Sequence, residues 1–107
     1  MKPKVTDSHH DSLVKRLKDP KYALGYLNAC LDDGDEGVFL LGLRYVAEAH
    51  GGLRKLSKKT RLNREHLFRL LSKTGNPRLC SLQNLIAAFG WKITLIQKSR
   101  QNLRIAA

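Results

Sequence analysis

The chain has 107 residues, enough for one domain with a modest hydrophobic core and too few for two domains of ordinary size. Its hydrophobic residues (42%) and charged residues (27%) give a globular rather than a disordered composition, and its net charge is +11. The longest apolar runs are far too short to cross a membrane, and the first residues lack the apolar block of a secretory signal, so we expect a cytoplasmic protein with no membrane partner.

The positive charge belongs entirely to the second half of the chain. Residues 1–52 carry 7 Lys/Arg against 8 Asp/Glu, a net charge of −1, whereas residues 53–107 carry 13 Lys/Arg against one acid, a net charge of +12. A one-sided positive field attracts polyanions, and nucleic acid is the commonest such partner. A basic surface that is merely solvated is the alternative.

The beginning of the chain carries weak structural signals. Residues 1–10 show no apolar period and are predicted to form a flexible arm, and Leu13 and Leu17 indicate at most a short helix near Asp11–Lys18. The predicted parts of the chain are an arm with a possible short helix (1–18), a single helical domain (19–97) and a C-terminal tail (98–107).

Two antiparallel helices are predicted next. Asp19-Pro20 is a start signal, because Asp accepts the free amides of a first turn and Pro is pre-set for the first helical position. Gly34 ends this helix, Asp35 caps the following one, and Gly51-Gly52 ends the second. The acids around Gly34 lack the ligand alternation of a calcium loop, so we interpret them as serving the helix ends. The predicted inward faces are Ala23, Tyr26, Leu27, Cys30 and Leu31, then Phe39, Leu43, Val46 and Ala47.

Three more helices and one strand are predicted in the basic half. Two short helices cover Leu53–Thr60 and Asn63 to about Ser72, and a loop containing Asn76-Pro77 leads to a third. After Gly90 the alternation in WKITLI predicts a strand over 91–96, paired with the same strand of a second copy across a two-fold axis. An extended tail laid on the core is the alternative. The predicted inward face of the third helix is Leu79, Leu82, Leu85, Ile86 and Phe89.

The segment from Leu53 onward fits the packing requirements of a helix-turn-helix. The turn of such a motif generally needs one residue with positive φ, where a non-glycine side chain costs about 1 kcal/mol. Arg61 occupies that place, and its charge is expected to face either a phosphate backbone or simply solvent. The residues expected to pack inward are Leu56, a small Ser57 where the helices cross, Leu62 at the corner, and Leu67 and Leu70 in the second helix.

The opposite face of the second helix would then be free to enter a DNA major groove. Arginine can grip guanine edges, asparagine can pair with adenine, glutamate can accept from cytosine, and an aromatic ring can contact a thymine methyl. Lysines and arginines on the flanks neutralise phosphates. The predicted base contacts are Asn63, Arg64, Glu65, Phe68 and Arg69, and the predicted phosphate contacts are Arg54, Lys55, Lys58, Lys59, Arg61, Ser72 and Lys73.

Several of these residues also have a purely structural interpretation. Asn63 is a good helix cap, and Glu65 can pair with Arg69 one turn later. His66 fits the rim of the core better than a base contact, and Phe68 can fill that rim as well. The sequence does not choose between these roles.

Catalytic and metal sites are not indicated. His9-His10-Asp11 falls in the predicted arm, and no oxyanion site accompanies it. The chain has no phosphate-cradling glycine loop, and its cysteines and histidines lack metal-ligand spacing. We interpret Cys30 and Cys80 as small buried hydrophobes. We therefore expect no enzymatic activity, no metal and no cofactor.

Two stretches of the chain resemble known families. LRKLSKKTRLNREHLFRLLSKTGNPRLCSLQNLIAAFG resembles the Cro/repressor (XRE) class of helix-turn-helix domains, and LKDPKYALGYLNACLDDGDEGVFLLGLRYVAEAHGGLRKLS is similar to the probable addiction module antidote protein family, whose role is like that of HigA antitoxins. The likeness runs from about Leu17 to Ile96. The sequence departs from the family at two positions. Ser57 stands where the family commonly has Ala, and Arg61 stands where the family has the turn Gly. With the helix pattern, the likeness predicts an all-α, five- to six-helix Cro/repressor-like domain with an N-terminal helical extension and a short C-terminal β-strand.

The resemblance implies a type II toxin–antitoxin antidote. Such a protein forms a homodimer, neutralises a small RelE/HigB-like toxin, and represses its own operon by binding double-stranded operator DNA through the helix that maps to Asn63–Ser72. It does not mark the toxin-binding residues. Two alternatives stay open. One is a protein neutraliser whose basic face docks an acidic partner, and the other is a stand-alone phage or chromosomal regulator without a toxin.

Overall fold

The computed structural model describes residues 4–98, with side chains from His9 onward, and within that range every regular element is an α-helix. This confirms the predicted all-α class. None of the described helices has the length and apolar continuity needed to cross a bilayer. The helices are α1 (Lys4–Arg16), α2 (Pro20–Asp33), α3 (Glu36–Ala49), α4 (Gly52–Thr60), α5 (Arg64–Leu70) and α6 (Leu79–Ala88).

The bounds of α2 and α3 follow from the capping residues seen in the sequence. Asp19 accepts a hydrogen bond from the backbone N–H of Lys21 at 3.1 Å, and Pro20 is the first residue of α2. Gly34 ends that helix in the left-handed conformation, with φ of 84°. Asp35 then caps α3 by accepting from the backbone N–H of Gly37 at 2.9 Å. The predicted helix pair is therefore confirmed, and α2 packs against α3.

Helix α1 starts earlier than the sequence indicated. It begins at Lys4, so the prediction of an arm up to residue 10 is wrong for residues 4–10. It packs against α3, where His10 Nε2 lies 2.8 Å from Glu48 Oε1 and the His10 ring meets Tyr45 edge-on. A polar contact such as that of His10 leaves no apolar period in the sequence.

The core is built around α3, which packs against α1, α2 and α4. Helix α4 in turn packs against α5 and α6, so α4 joins the last two helices to α3. Complete burial of a large aliphatic side chain stabilises the fold by roughly 1.5–3 kcal/mol. The largest fully buried side chains are Leu17, Leu43, Val46, Leu67, Leu71 and Leu85.

Three side chains that were predicted to face inward are exposed. Leu31 is 55% exposed at the end of α2, and Leu79 is 64% exposed at the start of α6. Cys80 is also exposed, whereas Cys30 is buried as predicted. Each of the exposed residues stands at a helix end, where the neighbouring helix no longer covers the face that the periodicity assigns to the core.

The predicted strand over residues 91–96 is not formed. These residues are irregular, and Leu95 and Ile96 are 94% and 86% exposed. A strand needs the backbone of a neighbour, and a single copy offers none. The alternative of a tail on the core holds only for Trp91, which packs beside Phe89 with ring centroids 5.7 Å apart. The predicted tail of residues 98–107 lies outside the described residues after Lys98.

Candidate nucleic-acid interface

Helices α4 and α5 are joined by the short turn Arg61–Asn63, which hydrogen bonds hold from both sides. The Arg61 N–H donates to Ser57 O at 2.8 Å, and the Leu62 N–H donates to Thr60 Oγ1 at 3.3 Å. The Ser57 hydroxyl donates to Leu62 O. Arg61 has φ of 62° and ψ of 23°, and it is the one non-glycine residue with positive φ in the described part of the chain. The expectation of positive φ at this position is confirmed.

The inward faces of the two helices hold them in a fixed relation. Leu56 and Leu67 are buried, and Leu62 is half-buried at the corner, as predicted. The prediction for Leu70 needs a correction, because Leu70 is only half-buried and Leu71 is fully buried. Leu71 is the C-cap of α5, its N–H donates to Leu67 O at 2.9 Å, and one turn after the buried Leu67 its side chain shares the buried face.

Asn63 caps the N-terminus of α5. Its Oδ1 accepts from the backbone N–H of Glu65 at 2.7 Å and of His66 at 3.3 Å. The capping interpretation is therefore confirmed. Since Oδ1 is engaged, the Nδ2 group is the part of Asn63 with which a base contact would be made.

The outer face of α5 is charged and solvent-exposed. Arg64, Glu65 and Arg69 are all exposed, and His66 is exposed rather than half-buried. Among residues 9–98, the only carboxylate within ion-pairing distance of any cation is Glu48, so the predicted alternative pair between Glu65 and Arg69 is not formed. Glu65 instead stands in the first turn of α5, where the helix dipole favours an acid.

Phe68 stands at the centre of this face and is 50% exposed. The guanidinium carbon Cζ of Arg44, on α3, lies 4.0 Å from the centroid of its ring, a cation–π contact. Sequence reasoning missed Arg44 as a member of the site because it belongs to the half of the chain with no net positive charge. The available signal was that Arg44 is the only cation in helix α3.

Two shallow clefts flank Phe68 and show which predicted residues lie together. A cleft of about 470 Å³ is lined by Arg54, Arg64 and Glu65 on one side of the ring. A second cleft of about 460 Å³ is lined by Arg69 and Ser72 on the other side. The structure therefore brings Arg54, from the first turn of α4, to the predicted base-contact residues Arg64 and Glu65 of α5.

Other predicted phosphate contacts lie elsewhere. Lys55 and Lys59 line a separate cavity of about 380 Å³ with Phe89 and Trp91, and Lys59 Nζ donates to Ala88 O at 3.4 Å. Consecutive helix positions are about 100° apart, so Lys55 cannot share the face of Arg54. Ser72 is half-buried, and its hydroxyl proton is donated to Arg69 O at 2.9 Å.

Lys58, Arg61 and Lys73 are exposed. Lys58 and Lys59 also stand in the last turn of α4, where a positive charge complements the helix dipole. Structural stabilisation and phosphate binding are therefore compatible at these positions.

Comparison with known proteins adds a family. A family model described as "Probable addiction module antidote protein" matches residues 8–97, a stretch that contains α2 to α6 and every candidate contact residue. Comparisons with curated proteins and with solved structures find no significant match.

Proposed function

The chain belongs to the probable addiction module antidote protein family, and from this premise we propose that it is the DNA-binding antitoxin of a type II toxin–antitoxin module. It neutralises a RelE/HigB-like toxin in the manner of HigA and represses its own operon. The family membership supports the antitoxin role. The DNA half of the proposal depends on the geometry of α4 and α5.

The DNA-binding part of the proposal rests on one observation: an exposed, cationic face on α5 is backed by a buried face and a fixed turn. Leu56 and Leu67 hold the two helices on the core, while Arg64 and Arg69 project outward without a carboxylate partner among the described residues. We assign α4 and α5 as a helix-turn-helix of the Cro/repressor class, in which the N-terminal end of the second helix enters the major groove.

The base-reading roles follow from the chemistry of the exposed groups. The planar guanidinium groups of Arg64 and Arg69 fit the two acceptors of a guanine edge. Asn63 Nδ2 and the Glu65 carboxylate provide one donor and one acceptor beside them. The Phe68 ring, covered on one side by Arg44, offers its exposed edge to a thymine methyl group.

Phosphate contacts surround this reading face. Arg54 lies in the same cleft as Arg64, and Lys58, Arg61 and Lys73 add exposed positive charge on the turn and the flanks. Each such contact displaces a counterion, so affinity falls as salt is added. Lys55 and Lys59, which point toward α6, contribute less to this term.

A homodimer would give the operator its two half-sites. The exposed apolar side chains of Ile93 and Leu95 supply a surface that a second copy can cover across a two-fold axis. Two recognition helices related by that axis would read half-sites about 34 Å apart, one turn of DNA.

Quantitative binding to DNA from the chain's own promoter tests the assignment of roles. We expect Arg64→Ala to lose about 1–3 kcal/mol of binding free energy and to relax specificity at one base pair. Lys58→Ala is the matched control, because it should weaken binding to all sequences equally and lower the salt slope by about 1. Equal effects of the two variants on specific and non-specific DNA would contradict the proposed reading face.

The antitoxin half is tested by co-expression with the small protein encoded beside this gene. Growth inhibition by that protein alone, and its relief by this chain, are the expected results. DNA binding without any such relief would leave a stand-alone transcriptional regulator.

A further inference from the structure

A further groove borders the cleft that Phe68 and Arg69 line, with which it shares Gly75 and Asn76. The end of α2, the start of α3, the loop after α5 and the start of α6 form its walls, and its volume is about 410 Å³. Its apolar lining consists of Leu31, Phe39, Leu40, Pro77, Leu79 and Leu82.

Leu31 and Leu79 are the unusual members of this lining. Both belong to helix faces that are otherwise buried, and both are more than half exposed, on different walls of the same groove. A single exposed leucine needs no explanation, but two that converge form an apolar surface without a partner in the described fold.

The charge of the groove is opposite to that of the molecule. Asp35 and Glu36 are the only ionisable residues in its lining, although the chain carries a net charge of +11. Asp32 and Asp33 precede them at the end of α2 and are exposed. The groove therefore combines an apolar floor with an acidic rim, which these two residues extend along the sequence.

Helix capping does not explain the whole rim. Asp35 caps α3, and Glu36 stands in its first turn, where the dipole favours an acid. Asp32 and Asp33 occupy the last turn of α2, where the dipole disfavours an acid. No cation of the described residues pairs with either one. They cost the isolated fold stability, which is expected of residues that serve a partner.

Other ligands fit the groove less well. DNA is disfavoured because the ionisable lining residues, Asp35 and Glu36, are both acids. No group of three metal-binding side chains converges among the residues described. A second copy joined by a two-fold axis through this groove would set the same acids against each other.

We propose that this groove is the toxin-binding surface, where Leu31 and Leu79 receive apolar side chains of a cationic segment of the toxin and the acids from Asp32 to Glu36 pair with its Lys/Arg. This inference rests on the proposed antitoxin function. The proposal also separates toxin binding from DNA binding, because none of the residues assigned to DNA lines the groove.

The test measures binding of the full-length chain to the toxin encoded beside its gene, together with relief of growth inhibition. Leu31→Glu/Leu79→Glu and Asp32→Lys/Asp33→Lys are expected to lower affinity about 100-fold, since apolar anchors and complementary charges are both lost. Leu24→Glu and Asp11→Lys are the matched controls, because both residues are exposed outside the groove. The controls should change affinity by less than about 3-fold.

Stability separates a binding role from a structural one. Leu79 is the first residue of α6, where Glu suits the helix dipole, and lysines at positions 32 and 33 suit the end of α2. We therefore expect the Asp32→Lys/Asp33→Lys variant to melt at a higher temperature than the wild type while it loses the toxin. Promoter binding by all variants should stay within about 3-fold of the wild type.

The possible outcomes are distinct. If the wild-type chain neither binds nor neutralises the neighbouring protein, the proposed function fails, and the groove assignment fails with it. If the wild type neutralises the toxin and both groove variants do so equally well, the antitoxin function stands and the groove assignment is overturned.

Occupation of the groove by this chain itself would also overturn the assignment. Conversion of the groove variants to monomers would identify a second copy as the occupant. Movement of the Leu31 and Leu79 methyl NMR signals on Leu103→Glu/Ile105→Glu substitution would identify the chain's own C-terminal residues. We expect neither change.

Discussion

Replacing Arg61 with glycine tests the link between the turn and DNA binding. Arg61 is held at φ of 62° by the turn between α4 and α5, and its N–H closes α4 by donating to Ser57 O. A non-glycine residue in this conformation costs about 1–2 kcal/mol. Glycine removes that strain and keeps the backbone hydrogen bond.

The expected gain is smaller than the strain, because glycine also makes the unfolded chain more flexible. That effect costs about 0.4–1 kcal/mol, and the mid-range values of the two terms leave a net stabilisation of roughly 0.5–1 kcal/mol. For a domain of this size we expect a rise in melting temperature of about 2–8 °C. The Arg61→Gly variant should at the same time bind promoter DNA more weakly, with a salt slope reduced by about 0.9 per copy of the chain.

Thermal denaturation and fluorescence anisotropy at several salt concentrations measure both effects. Arg61→Ala is the matched control, since it removes the same charge but keeps a side chain in the left-handed conformation. It should lose DNA affinity equally and gain no stability. An Arg61→Gly variant that is no more stable than Arg61→Ala, or that binds DNA with the wild-type salt slope, would refute this reasoning.

Three other predictions concern local contacts. Asn63→Ala should lower the free energy of unfolding by about 1 kcal/mol, which denaturant titration measures. Asn63→Asp keeps the cap and should lose only DNA affinity, which fluorescence anisotropy measures. Gly37→Ala should destabilise the fold by about 1–3 kcal/mol, because the new Cβ would lie 2.6 Å from the Lys73 carbonyl oxygen. Gly25→Ala is its control: the new Cβ meets no atom within 4 Å, so this variant should stabilise α2 by about 0.5–1 kcal/mol. Burial raises the pKa of Tyr26 from 10.0 to about 12. The stability that its neutral phenol contributes is therefore present below pH 10 and is lost as the pH rises toward 12. Tyr26→Phe should make stability less dependent on pH in that range, and the absorbance of the phenolate should follow the titration.

The helix starts could be predicted because their chemistry is local. Asp19, Asp35 and Asn63 each accept backbone N–H groups two or three residues later, so a few adjacent letters are enough to place the cap. The positive φ of Arg61 was predictable for the same reason. A short turn between two helical patterns allows few backbone conformations, whatever the side chain.

The features that were missed depend on neighbours distant in the sequence. Helix α1 extends to Lys4 although its early residues show no apolar pattern, and His10 contacts a helix 38 residues away. Leu31 and Leu79 follow the helical period, yet the fold leaves both exposed at the same groove. Periodicity shows which residues lie on the same helix face, but not whether another element covers that face.

The strand prediction shows a different limit. Alternation over residues 91–96 is a property of this chain, whereas pairing needs a second backbone. The membership of Arg44 in the candidate site was equally invisible, because only the packing of α3 against the later helices places its guanidinium over Phe68.

Titration of the chain with DNA from its own promoter, from low to physiological salt, tests the central claim most directly. The account predicts specific binding whose affinity falls steeply with salt. Four exposed cations, Arg54, Lys58, Arg61 and Lys73, would give a logarithmic slope of about −3 to −4 per copy of the chain. Absence of binding at low salt, or binding with no dependence on salt or on sequence, would contradict the assignment of α4 and α5 as the DNA-reading motif.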